Sequence, residues 1–555
     1  MAGAIISGVE ASEPISGSIT KPAVPSPLAI DGVDNPQNAY IGAPGTPVAI
    51  SFYSGMEIGS TVNTFFNDFY FCYHLEPSEV DLGNVISGET QSISLWNAYP
   101  SSKDLSDFTP PLAYGLSVSG QSSPYTMAAF EELTYTITID AIGDPSISET
   151  VSWVIDGFAL SLPITGTRIV EFLFKPNWSK GVKETFSWLT DVISSFSGKE
   201  QRRKLRTKPR REYEYTVLLS GDDLRKFQNR IFGWQNRPFA VPMWHHKSKT
   251  SAAASAGDTV IYLDTSNRSF VAGGLIGIVA STTSFEAVEV ESVTSTSLVL
   301  GRELSSGWPA GTPVYPIMVS RLPAEVPTRR ITSEVMEAQV TFKADPADND
   351  PAMPEVAAVV TLDGYEVITR KPNWIDPLAY DSSYPYLEFD SSTGANGYQT
   401  SVDYPALRRA INWLLSEKAD VTDFKALLNR LSGRWKAALV PTWFKDGTVT
   451  IVAGAGETSV TAYAPDYARF VGFNPMQEYL MVTSGASVYF HKITSVSSSG
   501  EDVVFGVAPA LTGEVSEGAK VTVMHRCRLS TDDVTIDYKT DGVATVTMTM
   551  ESVKA

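Results

Sequence analysis

Cysteine is almost missing from this chain of 555 residues. The only two, Cys72 and Cys527, stand near opposite ends, so they make no disulfide framework, and no third or fourth thiol suggests zinc. They read as free thiols, which suits synthesis in a reducing compartment. Histidine is also scarce. The five present are His74, His245, His246, His491 and His525, and none lies in a G-x-S-x-G or H-E-x-x-H frame. A P-loop and a dinucleotide-binding glycine fingerprint are lacking as well. The expectation is a protein that is not an enzyme and holds no cofactor and no metal. Long hydrophobic runs are absent. The most apolar stretch, residues 270–280, is broken by Gly273, Gly274 and Gly277 and falls far short of the roughly 20 residues of a membrane helix. The first residues lack the basic and apolar regions of a signal peptide. A soluble chain with no membrane partner is expected. Positive charge is in deficit, with 43 Lys and Arg against 62 Asp and Glu and a net charge of −19. That excludes a surface devoted to the nucleic-acid backbone, though not a local basic patch.

What is abundant is turn and strand chemistry. There are 40 glycines and 34 prolines, with many Ser, Thr and Val between them. The length implies three or four domains. The fold class expected is mainly β: an N-terminal immunoglobulin-like β-sandwich, then two tandem duplicated β-rich (α+β) domains. Residues 1–45 carry six prolines and little periodicity and read as an extended arm. Residues 46–174 read as the sandwich. Ile93 and Leu95 alternate with serines, Leu133 to Ile139 alternates with threonines, and a last strand is placed over 168–174. Trp96 and Asn97 read as core packing and turn capping.

The motif Lys-Pro-Asn-Trp occurs twice, at 175–178 and 371–374. Behind each copy the same landmarks return in order. Asp223, Asn229, Arg230 and Gly233 meet Asp423, Asn429, Arg430 and Gly433. Val241, Pro242 and Trp244 meet Val440, Pro441 and Trp443. Gly257, Thr259 and Gly311 meet Gly456, Thr458 and Gly518. Ordered matches with small drifts in loops are the mark of duplication. The first copy spans 175–344 with a small β insert at about 250–320. The second spans 371–555 with an insert at about 450–525. Residues 345–370 form a linker and entry strand between them. Residues 182–196 suit either a short helix or a strand pair. Residues 212–219 read as a strand with Tyr213 and Tyr215 on one face. Residues 221–233 read as a helix capped by Asp222 or Asp223 and ended by Gly233. The matched polar residues on that helix read as capping and surface groups.

One run is strongly basic: Arg202, Arg203, Lys204, Arg206, Lys208, Arg210 and Arg211. Three readings stand: a solvated loop, a contact with an acidic neighbouring subunit, or a phosphate-facing patch. No aromatics are interleaved, which disfavours a single-strand stacking platform. The run has no basic counterpart in the second copy. His245-His246 has no acidic or thiol neighbour in sequence and reads as an exposed or interfacial pair rather than a metal site. The acidic stretch 345–351 lacks the Gly and Glu of a calcium loop and reads as a linker.

From Val80 to Ala98, and from Arg168 to Trp178, the chain resembles the large tail-tip structural proteins of tailed bacteriophages with long non-contractile tails. The resemblance implies a virion component made in the host bacterial cytoplasm. It would join the tail tube to the hub or to receptor-binding fibres, in a ring of several copies of itself. Those seven basic residues would then face a neighbour or the lumen, and nucleic acid would be a partner only if DNA passes through the ring. Two other classes stand beside this: a carbohydrate-binding adhesin or receptor-binding module using loop aromatics such as those at 380–386, and a tail-associated hydrolase.

Overall fold

The structure is a computed structural model, mainly β. It describes residues 48–51, 57–60, 69–85, 88–140, 143–144, 146–195, 197–344, 354, 359–375, 377–384, 386–400, 402 and 404–554. The expected arm at 1–45 and the acidic linker at 345–351 lie outside the described residues.

Between Tyr73 and Arg168 two sheets face each other. One has four strands in the order Tyr73–Glu76, Glu89–Asn97, Glu132–Ile139 and Leu116–Ser119. The other has five, in the order Val80–Val85, Phe158–Arg168, Ser146–Ile155, Lys103–Thr109 and Tyr125–Met127. Period two sets the facing. Leu133, Tyr135, Ile137 and Ile139 are buried, and the threonines between them are not. From the opposite sheet Val151, Trp153 and Ile155 meet them in one core. Asn97 caps as expected. Its Nδ2 donates to the carbonyls of Ser101 and Ala128, and its Oδ1 accepts from the Tyr99 amide.

A sandwich strand over 168–174 does not form. The sandwich ends at Arg168. Val170–Glu171 pairs in parallel with Phe239 and Ala240. Phe172, Leu173 and Phe174 are all buried, in the core of the body on the C-terminal side of the sandwich. Three consecutive buried apolar residues cannot alternate as a half-exposed strand must. The Phe172 ring also sits 4.9, 5.7 and 4.8 Å from those of Phe174, Phe239 and Phe342.

The remaining body has two halves. The first contains β1 (Val182–Ser187), β2 (Thr190–Ser194), β3 (Glu200–Lys204), β4 (Arg210–Ser220), α1 (Gly221–Trp234), β5 (Phe239–Pro242), β6 (Pro313–Arg321), β7 (Thr328–Arg330) and β8 (Val335–Ala344). The second contains β9 (Ala379–Ser383), β10 (Leu387–Phe389), β11 (Gly397–Gln399), β12 (Ala406–Leu415), α2 (Lys418–Leu431), β13 (Ala438–Pro441), β14 (Lys520–Leu529), β15 (Asp533–Tyr538) and β16 (Ala544–Ser552). The undecided stretch therefore forms two strands, over 182–187 and 190–194.

The pairings correspond strand for strand. β1 pairs β4 as β9 pairs β12. β4 pairs β8 as β12 pairs β16. β5 pairs β6 as β13 pairs β14. β7 pairs β8 as β15 pairs β16. Between β5 and β6 four strands enclose a separate small core around Ile261, Val290 and Leu300. Between β13 and β14 five strands do so around Val460, Phe505 and Val507. Turn glycines match too: Gly257 and Gly456 have φ of 92° and 89°, in the left-handed region that favours glycine.

β4 buries Tyr213, Tyr215, Val217 and Leu219 along one face, as period two requires. α1 buries Leu224 and Phe227. Its expected caps differ. Ser220 takes the N-cap position without a side-chain bond, and Asp223 instead accepts from the Thr282 hydroxyl. The helix runs through Gly233, whereas α2 stops at Ser432 and Gly433, both left-handed at φ 50° and 69°. The halves share one core. Phe186, Val217 and Phe342 of the first pack in it with Trp413, Phe424 and Ile536 of the second. β1 of the first half pairs antiparallel with β15 of the second, from Val182↔Tyr538 to Ser187↔Asp533.

Candidate functional site

The repeated Lys-Pro-Asn-Trp motif is a pinned turn. The Asn177 amide donates to the Thr216 carbonyl, and the Asn373 amide donates to the Asn412 carbonyl, each at 2.7 Å. Each Asn Oδ1 then accepts from an amide two residues on, Ser179 or Ile375. This local turn holds the entry to each half against β4 or β12. The matched arginines are also structural. Arg230 pairs with Glu171, and Arg430 pairs with Glu366 through two bonds of 2.9 and 2.7 Å. Each ties its helix to the entry strand, a role beyond the helix-surface one expected.

The densest polar cluster lies where the halves join. Glu184 on β1 is fully buried. Its Oε1 accepts from Arg211 Nη2 and from the Tyr213 hydroxyl, both at 2.7 Å. Its Oε2 accepts from the Tyr538 hydroxyl at 2.7 Å and meets Lys425 Nζ at 2.7 Å. Arg211 and Tyr213 belong to β4, Lys425 to α2 and Tyr538 to β15, so one carboxylate ties four elements of two halves. His245 stacks between Tyr213 and Tyr538 at ring separations of 5.4 and 4.0 Å. His246 Nε2 lies 3.3 Å from Lys425 Nζ and 3.2 Å from the Ser269 hydroxyl. The histidine pair is therefore not exposed. It is 2% and 6% exposed and sits between the halves.

Burial pushes the Glu184 carboxyl up, but Lys425 and Arg211 outweigh it and hold it well below the usual range. Burial drives the His245 imidazole down to about 4; Glu184 opposes this, and Lys425 and Arg211 add to it. His246 is likewise driven well below its usual value, by burial and then by His245 and Lys425. Both rings are thus neutral in the folded protein. Unfolded, they titrate near 6.5. The unfolded chain then binds more protons below that value, so acidification from 6.5 toward 4 removes stability. For His245 alone the loss is on the order of 3 kcal/mol when complete. The part supplied by Glu184 is lost only below about 4.5, its usual value. The urea midpoint is expected to fall steadily from pH 6.5 to 4.5. His245→Phe, which places the residue found at Phe444, should flatten that slope. A midpoint constant over this range would count against neutral buried rings.

The basic run is not one patch. Glu200–Lys204 is β3, paired with β2 as a hairpin. This hairpin is seated on the second half. Glu200 accepts two bonds from Arg528, at 2.8 and 2.6 Å. Lys204 donates to the Ser432 hydroxyl at 3.1 Å and lies over the Trp435 ring. At the hairpin base, Asp532 accepts from the amides of Thr190 and Arg434. Arg206 donates to the carbonyls of Ser187 and Trp188, and Arg211 is inside the Glu184 cluster. Arg202 is half-buried beside Glu200. Arg203, Lys208 and Arg210 remain exposed. Arg206 and Arg210 also line a cleft of about 590 Å³, with Lys343, Arg434 and Asp532. The equivalent hairpin, β10–β11, exists in the second half without the basic residues.

No signal in the sequence pointed to Glu184, Lys425 or Tyr538, because the contacts that join the three span hundreds of residues. The arginine pairs could have been found, since Arg230 and Arg430 match and a Glu precedes each. Among the described residues no group of three or more His, Cys, Asp or Glu is placed to hold a metal ion, and no helix is long and apolar enough to cross a membrane. No known protein family matches the chain, and no curated protein matches it either.

Proposed function

We propose that this chain is a structural protein of a virion tail tip, joining the tail tube to the hub or to receptor-binding fibres as several copies. We infer with it that the two halves of the body are duplicates of one domain and that residues 73–168 are a sandwich of immunoglobulin-like type. The supporting observation is the β1–β15 pairing. It fuses two corresponding units into one body around a shared core and leaves strand edges at both ends, an architecture suited to extension by further units. The sequence resemblance to tail-tip proteins supplies the setting.

Electron microscopy of intact particles labelled on this chain tests the reading. Density at the distal tail is expected, and density in the capsid or neck would overturn it. The exposed basic residues give a finer test. Replacing Arg203, Lys208 and Arg210 by Ser is expected to leave the purified chain folded and to lower particle yield or infectivity. Normal particles would reduce these residues to a solvated face. One observation favours a second reading, a carbohydrate-binding module. Tyr386 and Tyr398 are exposed, with rings 5.6 Å apart at the β10–β11 hairpin. Saturable sugar binding by the purified chain, lost in Tyr386→Ala and Tyr398→Ala, would favour it over the first.

A further inference from the structure

We propose that copies of this chain join head to tail by strand pairing, β9 of one copy adding to β7 of the next. The proposal rests on the duplicate reading of the two halves and does not need the virion setting.

Within the chain, β1 lies between β4 and β15. Its counterpart β9 pairs with β12 on one side, and all five of its residues are exposed. The counterpart of β15 is β7. It pairs with β8 on one side, and all three of its residues are exposed. Among the described residues each strand lacks the neighbour that its equivalent has, and the two missing neighbours are each other's type. An open edge of this kind is a template for pairing with another chain.

The register carries over from the junction already formed. Val182↔Tyr538 becomes Leu378↔Arg330, and the next pairs are Ala379↔Arg329, Tyr380↔Thr328 and Asp381↔Pro327. Pro327 fits this seam. The Gln339 amide donates to the Pro327 carbonyl, so the backbone of residue 327 turns toward β8, and its missing N–H is not on the open edge. Charge and ring chemistry also fit. Asp381 and Arg329 fall diagonally on one face as opposite charges. On the other face Arg330 falls diagonally beside the Tyr380 ring, where Tyr538 meets Glu184 within the chain.

The hairpins make a second, independent match. β2–β3 is seated on the second half, where Lys204 reaches Ser432 just past α2. β10–β11 is seated on nothing comparable among the described residues. Its six strand residues are exposed, and Leu387, Phe389 and Tyr398 are 61%, 53% and 63% exposed. The counterpart of Ser432 is Phe232 on α1, which is 96% exposed. An apolar hairpin at one end thus matches an apolar landing site at the other. Such a head-to-tail interface generates a ring, or a filament if the rotation does not close.

Cysteine pairing reads the register directly. Residues 379 and 329 would form a pair without mutual hydrogen bonds, with Cα atoms about 4.5 Å apart, close enough for a disulfide. In a Cys72→Ser background, chains carrying Ala379→Cys are mixed with chains carrying Arg329→Cys and oxidised. Disulfide-linked dimers are expected as the major product. They should be minor from either variant alone, and minor when Arg330→Cys replaces Arg329→Cys, because a shift of one residue turns the side chain to the other face. Ser382→Pro removes an amide that faces the seam and none that faces β12. It is expected to give monomers in sedimentation with an unchanged thermal transition. Equal cross-linking by the shifted pair would overturn the proposal, as would a monomeric parent chain at its highest soluble concentration. Seam-specific dimers from a chain that microscopy does not find in tails would leave this interface standing and remove the virion reading.

Discussion

Glu184→Gln is expected to destabilise the body by about 3–5 kcal/mol, the usual result of breaking a buried ion pair from one side. Glutamine keeps the shape and can still bond the tyrosine hydroxyls, but it removes the negative charge that faces both Arg211 and Lys425. Their side chains are 3% and 5% exposed, so water cannot replace the lost charge without opening the junction. Urea unfolding of the full chain measures this as a lower midpoint. Adding Lys425→Met to Glu184→Gln should recover part of the loss, because it removes one of the two buried cations. A single-variant loss under about 1 kcal/mol would mean that the cluster behaves as a surface pair does.

Trp153→Ala is expected to cost about 3–5 kcal/mol, and to cost it in the sandwich alone. Trp153 is fully buried, with the Tyr135 and Phe108 rings 5.3 and 5.8 Å away. The hydrophobic core it belongs to shares no residue with the core of the body. Calorimetry should show one transition moving down while the other stays in place. If both moved together, the sandwich and body would unfold as one unit, and their cores would not be independent.

The contrast between these two sites says what a sequence can carry. Trp153 sits in a run where Val151, Trp153 and Ile155 alternate with outward-facing residues, so its burial follows from spacing alone. The ordered landmarks behind Lys-Pro-Asn-Trp likewise anticipated corresponding strands, since glycines at φ near 90° and pinned turns are local requirements. Glu184 carries no such mark. It occupies an ordinary inward position of β1; β4 supplies Arg211 and Tyr213, and only the return of α2 and β15 supplies Lys425 and Tyr538. The basic run is opaque for the same reason. Its charges are visible, but the Ser432, Trp435 and Arg528 that sort them into seated and exposed groups belong to another part of the chain. The boundary at 174 misleads because three apolar residues in a row suit a buried segment of any kind.

The β1–β15 pairing also has a consequence in time. Thr185 and Thr535, whose hydroxyls meet across it at 2.9 Å, are 350 residues apart. At a translation rate of about 5–20 residues per second, β1 emerges roughly 20–70 seconds before its partner exists. Through that interval the first half stands on the ribosome with an uncovered edge and a carboxylate waiting for the lysine of α2. On a crowded message, a β15 already finished on the chain ahead could reach that edge first. Every nascent copy therefore passes through a period in which exchange between neighbouring chains competes with its own closure.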